Sequence, residues 1–208
     1  PKSGIISGYK RVLDMASVLE GIIYLREGAY DRLLAAHRDL QGIDPGLTFD
    51  VQYGYRTDEI QRHYFFDDAL PEVRAHVLAH NLTWSEEEIM ERASWYVAFP
   101  EVAGHPTGGA IDLTLWNKRL NAEVDMGVSI FGENGMDRKI YFASPEISKV
   151  AQENRHMLRT VMESAGFHGF EGEFWHHSYG DREWAYKRGE GTALYAPIEL
   201  DQAIAMLT

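Results

Sequence analysis

The sequence contains no cysteine among its 208 residues. Disulfide bonds, thiolate metal sites and cysteine nucleophiles are therefore excluded, and any bound metal must rely on histidine and carboxylate ligands. No apolar run approaches the roughly 18 residues that a membrane-spanning helix needs. Lysine and arginine number only 20 against 32 acidic residues, and the net charge of -12 disfavours binding to nucleic-acid phosphates. These absences leave a small or peptidic ligand as the better expectation.

The remaining composition is that of an ordinary globular protein, with 45% apolar and 25% charged residues. A chain of this length can bury one sizeable core, so we expect a single domain over residues 1–208. The sequence begins Pro1-Lys2-Ser3-Gly4 and shows no basic-then-apolar export segment. A cytoplasmic location is the expectation, and a periplasmic or secreted one stays open because a leader could be missing. Nothing in the sequence indicates the oligomeric state.

Capping residues and apolar spacing predict several helices. Residues 27–40 carry apolar side chains at helical spacing, and Thr57 can cap a short helix that follows it. Ser85 begins a capping box for a helix that ends near residue 94. The longest predicted helix has Ser144 as its cap, a proline at its first position, an apolar stripe and Gly166 as its stop.

Strands are predicted where aromatic and β-branched residues cluster or alternate with polar ones. These segments are residues 22–25, 48–53, 110–115, 173–179 and 192–195. No repeat, low-complexity segment or interdomain linker separates them.

Asp112 is the first candidate functional residue. A period of two places Asp112 and Thr114 on one face of the predicted strand 110–115 and the apolar residues on the other face. His105 precedes this strand in a glycine-rich loop. An unpaired buried carboxylate is costly, so Asp112 needs a partner unless it stays half-exposed. A metal is one such partner, and an arginine in a structural ion pair is another.

Glu173 and His176 form a second candidate pair, three residues apart. Such residues point to opposite faces of a regular strand. A bulge, a twist, or a metal lying beyond the end of the strand would bring them together. Taken alone, the spacing is equally that of a strand with chance polar positions.

The two segments together resemble the M15 peptidase family, whose zinc site reads Ser-x-His-x-x-Gly-x-Ala-x-Asp followed much later by Glu-x-x-His. The matching residues are His105, Gly108, Ala110 and Asp112 in the first pattern and Glu173 and His176 in the second. The likeness is to the D-alanyl-D-alanine dipeptidase, or VanX-like, branch. It is supported by Phe174-Trp175, by residues 177–182 and by Gly54-Tyr55-Arg56, and it runs from about residue 25 to residue 198.

The resemblance implies one Zn²⁺ per chain, with three protein ligands and a fourth position for water. The implied ligands are His105, Asp112 and His176. By the same resemblance Glu173 is the general base, and Arg56 stabilises the oxyanion of the transition state. The alternative for Arg56 is a surface ion pair with Asp58 or Glu59.

Substrate contacts are also implied by the resemblance, at Tyr55, Phe174, Trp175 and Ala103. The sequence departs from the family at two of the positions that bind substrate. Ala103 replaces the family's serine, and Phe131 stands about where the family has an aspartate that holds the substrate's amino group. Asp125, Glu133 and Asp137 are the candidates to replace that charge.

The implied activity is zinc-dependent hydrolysis of D-Ala-D-Ala or a related small peptide containing D-amino acids. A D,D-carboxypeptidase or endopeptidase acting on longer cell-wall peptides is the alternative enzyme, and a non-catalytic peptide-binding relative is the alternative outside enzymes. The implied fold is α+β, with helices packed on one side of a mostly antiparallel sheet that carries the zinc ligands.

Overall fold

The computed structural model describes residues 4–7, 13–19, 21–95, 97–130 and 137–205. The helices are α1 (Leu13–Leu19), α2 (Glu27–Ile43), α3 (Asp58–His63), α4 (Leu70–Ala79), α5 (Glu86–Ala93), α6 (Lys149–Ser164), α7 (Arg182–Arg188) and α8 (Leu200–Ala205). The strands are β1 (Ile6–Ser7), β2 (Leu47–Tyr53), β3 (Ala110–Asn117), β4 (Ala122–Glu123), β5 (His168–Gly169) and β6 (His176–Ser178). None of the described helices combines the length and the hydropathy that crossing a membrane requires.

The described strands form one sheet in the order β1-β2-β3-β6-β5, and β4 attaches to β3. The β1–β2 pair is parallel, and every other pair is antiparallel. The predicted α+β fold with a mostly antiparallel sheet is therefore confirmed. The central position of β3 matters for function, because this strand pairs with both β2 and β6.

Strand β3 has the two faces that its alternation predicts. Its apolar side chains are fully buried in the main core, where they pack with residues of α2 and α6; they are Ile111, Leu113 and Leu115. Each such side chain contributes about 1.5–3 kcal/mol through removal of apolar surface from water. Asp112 and Thr114 lie on the opposite face and are also buried.

Three predicted helix starts or stops are confirmed by their hydrogen bonds. The Ile60 amide donates to Thr57 Oγ1 at the start of α3. Ser85 and Glu88 form the complete capping box of α5. At the end of α6, Gly166 adopts a φ of 99°, in the left-handed region that favours glycine, while the Phe167 amide bonds to a carbonyl of the last turn.

The predicted start of α6 at Ser144 is wrong. The helix begins at Lys149, and Ser148 caps it by accepting a hydrogen bond from the Ala151 amide at 3.0 Å. Ser144 instead accepts from the Glu146 amide in the turn before the helix. Two serines four residues apart both fit the cap pattern, so local sequence could not distinguish them.

Two predicted strands are extended loops rather than members of the sheet. Residues 22–25 make two separate backbone bonds, from the Tyr55 amide to the Tyr24 carbonyl and from the Ile22 amide to the Leu19 carbonyl. In the segment 192–195, two adjacent amides share the carbonyl of Gly180. Neither arrangement continues into a ladder of hydrogen bonds, which is what defines a strand.

Helices α4 and α5 pack around a second, smaller core. Its buried members are Phe65, Ala69, Leu70, Val73, Ile89 and Ala93. Val97 and Phe99 pack against this cluster from the segment that follows α5. This cluster supports a wall that stands opposite the polar face of β3.

Arg155 is fully buried in the middle of α6, with 1% of its surface exposed. It donates to three backbone carbonyls, those of Met126 at 2.8 Å, Tyr141 at 2.6 Å and Lys139 at 2.7 Å. Its guanidinium also lies 4.1 Å from the centre of the Phe174 ring. Arg155 therefore connects α6 to the segments that precede and follow residues 131–136.

We predict that Arg155→Met lowers the free energy of unfolding by about 2–4 kcal/mol, because three buried carbonyls lose their donor. Urea unfolding followed by circular dichroism measures the change. Arg138→Met is the matched control, since Arg138 is 66% exposed and its loss should cost less than about 0.5 kcal/mol. Equal losses in the two variants would contradict the structural role of Arg155.

Candidate metal centre and catalytic site

Paired strands place an acidic side chain directly opposite a histidine. In the antiparallel pairing of β3 with β6, Asp112 lies opposite His176, and Asp112 Oδ1 is 3.0 Å from His176 Nδ1. His105 belongs to a short 3-10 turn before β3, and its Nε2 lies 3.2 Å from Asp112 Oδ2. The ligand atoms that the three residues offer lie within 4.8 Å of one another. The structure therefore brings the three predicted ligands together.

The turn that carries His105 depends on glycine at two positions. Gly108 has a φ of 73°, a left-handed conformation that other residues rarely adopt. A side chain at Gly104 would collide with the carboxylate of Asp181. Thr107 closes the turn by donating from its hydroxyl to the Gly104 carbonyl at 2.6 Å. The loop can therefore approach β3 closely enough for His105 to reach Asp112.

The outer nitrogen of each histidine is also engaged. His105 Nδ1 lies 2.7 Å from the Gly54 carbonyl, which can only accept, so Nδ1 carries the hydrogen and Nε2 is left free to bind a cation. His176 Nε2 lies 3.3 Å from Ser178 Oγ, while Nδ1 faces Asp112. Such outer hydrogen bonds orient metal-binding imidazoles and select their tautomer.

The electrostatics of the three residues suit a cation. Burial raises the pKa of Asp112, but the charges and hydrogen bonds of the two histidines outweigh burial and hold that pKa well below its usual range. Burial lowers the pKa of His105. For His176, burial also lowers the pKa, but the hydrogen bond to Asp112 and the nearby carboxylate charges together outweigh burial and raise it to about 9. Without a cation, a proton on His176 neutralises the carboxylate; a metal would replace that proton.

The donor set fits a divalent transition metal. Two imidazole nitrogens and one carboxylate oxygen converge in a buried place, with no thiolate available anywhere in the sequence. His105, Asp112 and His176 would hold the ion.

Glu173 lies in a turn immediately before β6, so the predicted strand over residues 173–179 is correct only for residues 176–178. The His176 amide donates to the Glu173 carbonyl at 3.3 Å, which closes the turn. This turn explains how residues three apart serve one site. The Glu173 side chain is half-buried and lines the cavity beside His176. Burial and the nearby charge of Asp112 raise the pKa of Glu173 to about 8.

Arg56 follows β2 and enters the site from the side opposite β6. Its Nη1 donates to Gln61 Oε1 at 2.9 Å, and Gln61 Nε2 donates to the Ala98 carbonyl at 2.7 Å. The guanidinium lies 4.3 Å from the centre of the Tyr53 ring and 4.8 Å from that of Tyr64. Gln61 thus fixes the orientation of Arg56.

The alternative of a surface ion pair for Arg56 is wrong. Arg56 is only 8% exposed, and Asp58 pairs with Arg62 instead, at 2.7 Å. Burial lowers the pKa of Arg56, but Tyr53 and Asp112 raise it above its ordinary value. A permanent positive charge therefore faces the cavity.

A cavity of about 760 Å³ opens over these residues. Its floor contains the three candidate ligands and Glu173. An apolar wall comes from the segment after α5, and α7 supplies a third, polar side. The wall consists of Trp95, Val97, Phe99 and Val102, and the side chains from α7 are Arg182, Glu183, Tyr186 and Lys187. The volume is in the range of small-molecule sites.

Four residues expected to contact substrate are buried behind the cavity rather than exposed in it. The Tyr55 hydroxyl donates to the Ile198 carbonyl at 2.8 Å. Phe174 and Trp175 pack edge to face, with their ring centres 5.0 Å apart. Ala103 is 3% exposed and, like the other three, is absent from the described residues that line the cavity. None of the four side chains lines the cavity in this structure, and their direct contact with substrate stays a prediction.

Two of the three candidates for the missing carboxylate, Asp125 and Asp137, are described, and they do not line the cavity either. Asp125 accepts from the Gly127 amide at 2.8 Å, and Asp137 accepts from the Lys139 amide at 2.9 Å. Neither is among the described residues that line the cavity. Phe131 and Glu133 lie outside the described residues.

Sequence reasoning missed three residues of the site. Ser178 could have been found, because it is two residues from His176 and therefore shares its face of β6. Gln61 carries no motif and reaches Arg56 only through the path of α3. Glu183 lies on α7, and burial raises its pKa.

We predict that a divalent cation such as Zn²⁺ stabilises the fold through these ligands. At a hundredfold excess over the dissociation constant, the free energy of unfolding should rise by about 2.7 kcal/mol. Chemical unfolding with and without a chelator measures this increment. Asp112→Asn should abolish it, whereas Asp201→Asn, at an exposed position in α8, should retain it. An undiminished increment in Asp112→Asn would place the cation elsewhere.

Comparisons with known proteins show the family to which this chain belongs. The sequence profile of the M15 peptidases, described as D-ala-D-ala dipeptidase, matches residues 33–190. A D-alanyl-D-alanine dipeptidase of Synechocystis sp. is 31% identical over 179 residues, which cover 78% of this chain and 72% of the relative. A dipeptidase of the same name from Escherichia coli is 36% identical over 74 residues, or 36% of either chain.

Among solved structures, VanYB in complex with D-Alanine-D-Alanine overlaps with a TM-score of 0.47 at 18% identity, covering 88% of this chain and 84% of that one. The profile match over most of the chain and the Synechocystis relative show the family. The chain belongs to the M15 peptidase family and is a metallopeptidase.

Proposed function

We propose that this protein is a zinc-dependent dipeptidase that hydrolyses the peptide bond of D-Ala-D-Ala or a related small dipeptide containing D-amino acids. The observation that carries the proposal is the buried arrangement of His105, Asp112 and His176 beside the carboxylate of Glu173. The name of the Synechocystis relative supports the choice of substrate class.

Zinc fits because two imidazoles and one carboxylate form the usual ligand set of a catalytic zinc site with one open position. When bound, zinc polarises the scissile carbonyl and makes a water molecule more acidic. Asp112 supplies the negative charge of the ligand set. The hydrogen bonds of His105 to Gly54 and of His176 to Ser178 keep the two imidazoles in place.

Glu173 is the group that transfers the proton from the attacking water to the leaving group. Its carboxylate accepts a proton from the attacking water and delivers it to the nitrogen of the leaving amino acid. Without a cation its pKa is raised to about 8, and a cation beside it would lower that pKa again. A pKa near the working pH suits a carboxyl group that must both accept a proton and donate it.

Arg56 supplies the positive charge on the other side of the cavity. Its guanidinium donates hydrogen bonds to the carbonyl oxygen of the substrate as negative charge develops there. Because Gln61 and the two tyrosine rings already hold the guanidinium, little reorganisation is needed during the reaction.

The test is release of free D-Ala from D-Ala-D-Ala by the zinc-loaded protein, beside N-acetyl-D-Ala-D-Ala. Hydrolysis of the free dipeptide supports the proposal. Hydrolysis of only the blocked peptide would reassign the protein as a carboxypeptidase on longer peptides. Binding of both peptides without hydrolysis would reassign it as a binding protein.

We predict that Glu173→Gln lowers kcat by about 10²–10⁴ because the general base is lost. Zinc content, measured by elemental analysis, should be unchanged, since Glu173 is not a ligand. Glu163→Gln is the matched control at an exposed position of α6 and should keep full activity. A variant at Glu173 that retains its activity would rule out this role.

We further predict that Arg56→Lys lowers kcat/KM by about 10²–10³, because lysine lacks the planar fork that contacts both Gln61 and the oxyanion. Arg62→Lys, a neighbouring exposed arginine, should change kcat/KM less than twofold. Steady-state kinetics of both variants with intact zinc content make the comparison. Equal effects would argue against oxyanion stabilisation by Arg56.

A further inference from the structure

Among the described residues that line the catalytic cavity, one carboxylate is used neither by the metal site nor by the proposed chemistry. The acidic side chains in this described lining are Asp112, Glu173 and Glu183. Asp112 is held between two histidines, and Glu173 is the proposed general base. Glu183 projects from the first turn of α7 and is half-buried, and its carboxylate accepts no hydrogen bond from the described residues.

Among the described residues, the basic side chains that line the cavity have other partners or are exposed, and His176 is paired with Asp112. Arg56 is bound to Gln61, and Arg182 donates to the carbonyl of Glu101. Lys187 lies one helical turn after Glu183 and acts on it electrostatically, but Lys187 is exposed and no ion pair within 4.0 Å joins the two described side chains. A carboxylate in a partly dehydrated cavity without a cationic partner is unfavourable, and a ligand cation would relieve this cost.

The position of Glu183 relative to the reaction centre indicates which part of a ligand would carry the positive charge. Its electrostatic neighbours are His176, Asp181 and Lys187, and it also acts on Glu173. It therefore lies on the β6 side of the cavity, while Arg56 reaches the cavity from the β2 side. Glu183 and Arg56 therefore approach the candidate metal centre from opposite sides, and Arg182 and Lys187 line the cavity beside Glu183.

We propose that Glu183 is a specificity-determining residue that binds a positively charged nitrogen of the substrate. This inference rests on the proposed peptidase function. The favoured substrates are peptides with an ammonium group close to the scissile bond, which is the free amino terminus in a dipeptide. The same chemistry is offered by the side-chain ammonium of a diamino acid.

The test compares wild-type and Glu183→Gln protein, both zinc-loaded, on three substrates. D-Ala-D-Ala carries the α-ammonium, D-lactyl-D-Ala replaces it by a hydroxyl, and Nα-acetyl-D-lysyl-D-Ala carries only a side-chain ammonium. Glu190→Gln is the control with the same change in net charge, since Glu190 is exposed and lies outside the cavity. Zinc content and thermal unfolding establish that both variants are folded.

We expect Glu183→Gln to raise KM for D-Ala-D-Ala about 10- to 100-fold, as loss of a charged hydrogen bond predicts, with kcat changed little. KM for D-lactyl-D-Ala should not change. A selective loss with the acetylated lysyl peptide instead would identify the side-chain ammonium as the bound group. Equal losses on all three substrates, or none, would overturn the proposal.

Binding separates this proposal from the proposed catalysis. If wild-type protein hydrolyses none of the substrates, calorimetric affinity for D-Ala-D-Ala is measured with both variants. A 10- to 100-fold weaker affinity in Glu183→Gln alone would support Glu183 while the catalytic proposal fails. Equal affinity in both variants, or no binding to the wild-type protein, would overturn the role of Glu183.

Discussion

The structure depends on one buried charge, the carboxylate of Asp112. A carboxylate on the central strand of a sheet is unfavourable unless it is paired, and here it is paired twice. His176 faces it across β3 and β6, and His105 reaches it from the preceding turn. The glycines of that turn, the register of the two strands and the hydrogen bond from His105 to Gly54 all serve this pairing.

Two hydrophobic cores set the positions of the cavity walls relative to this charge. The main core, beneath β3, includes α2 and α6 and sets the position of the sheet. The second core, around α4 and α5, supports the apolar wall formed by Val97 and Phe99. Arg155 connects the main core to the chain leading toward Phe174, directly after Glu173. The proposed base is therefore supported by a buried side chain that takes no part in the chemistry.

The parts of the fold with a local physical signal were predictable from sequence. Capping side chains identified the starts of α3 and α5, and the alternation of β3 placed Asp112 opposite the apolar core. Segments 22–25 and 192–195 were wrongly predicted as strands. Their composition favours an extended backbone, but it does not indicate whether a partner strand lies beside them.

The candidate site was predictable to the extent that its residues lie in motifs. The ligands and Glu173 follow from the two spaced patterns. Gln61 and Glu183 have no motif, since only the three-dimensional path of α3 and α7 brings them to the cavity. Conversely, Phe174 and Tyr55 stand inside the motifs and yet are buried, because proximity in sequence does not determine which way a side chain points.

The separation of the ligands along the chain has a consequence for folding kinetics. Asp112 and His176 are 64 residues apart, and His105 and Gly54 are 51 residues apart. Contacts of this range form late, because closing long loops costs entropy before the contacts stabilise the chain. A cation that needs the assembled site has little to bind in the transition state for folding. It is therefore expected to lengthen the lifetime of the folded protein without accelerating its formation.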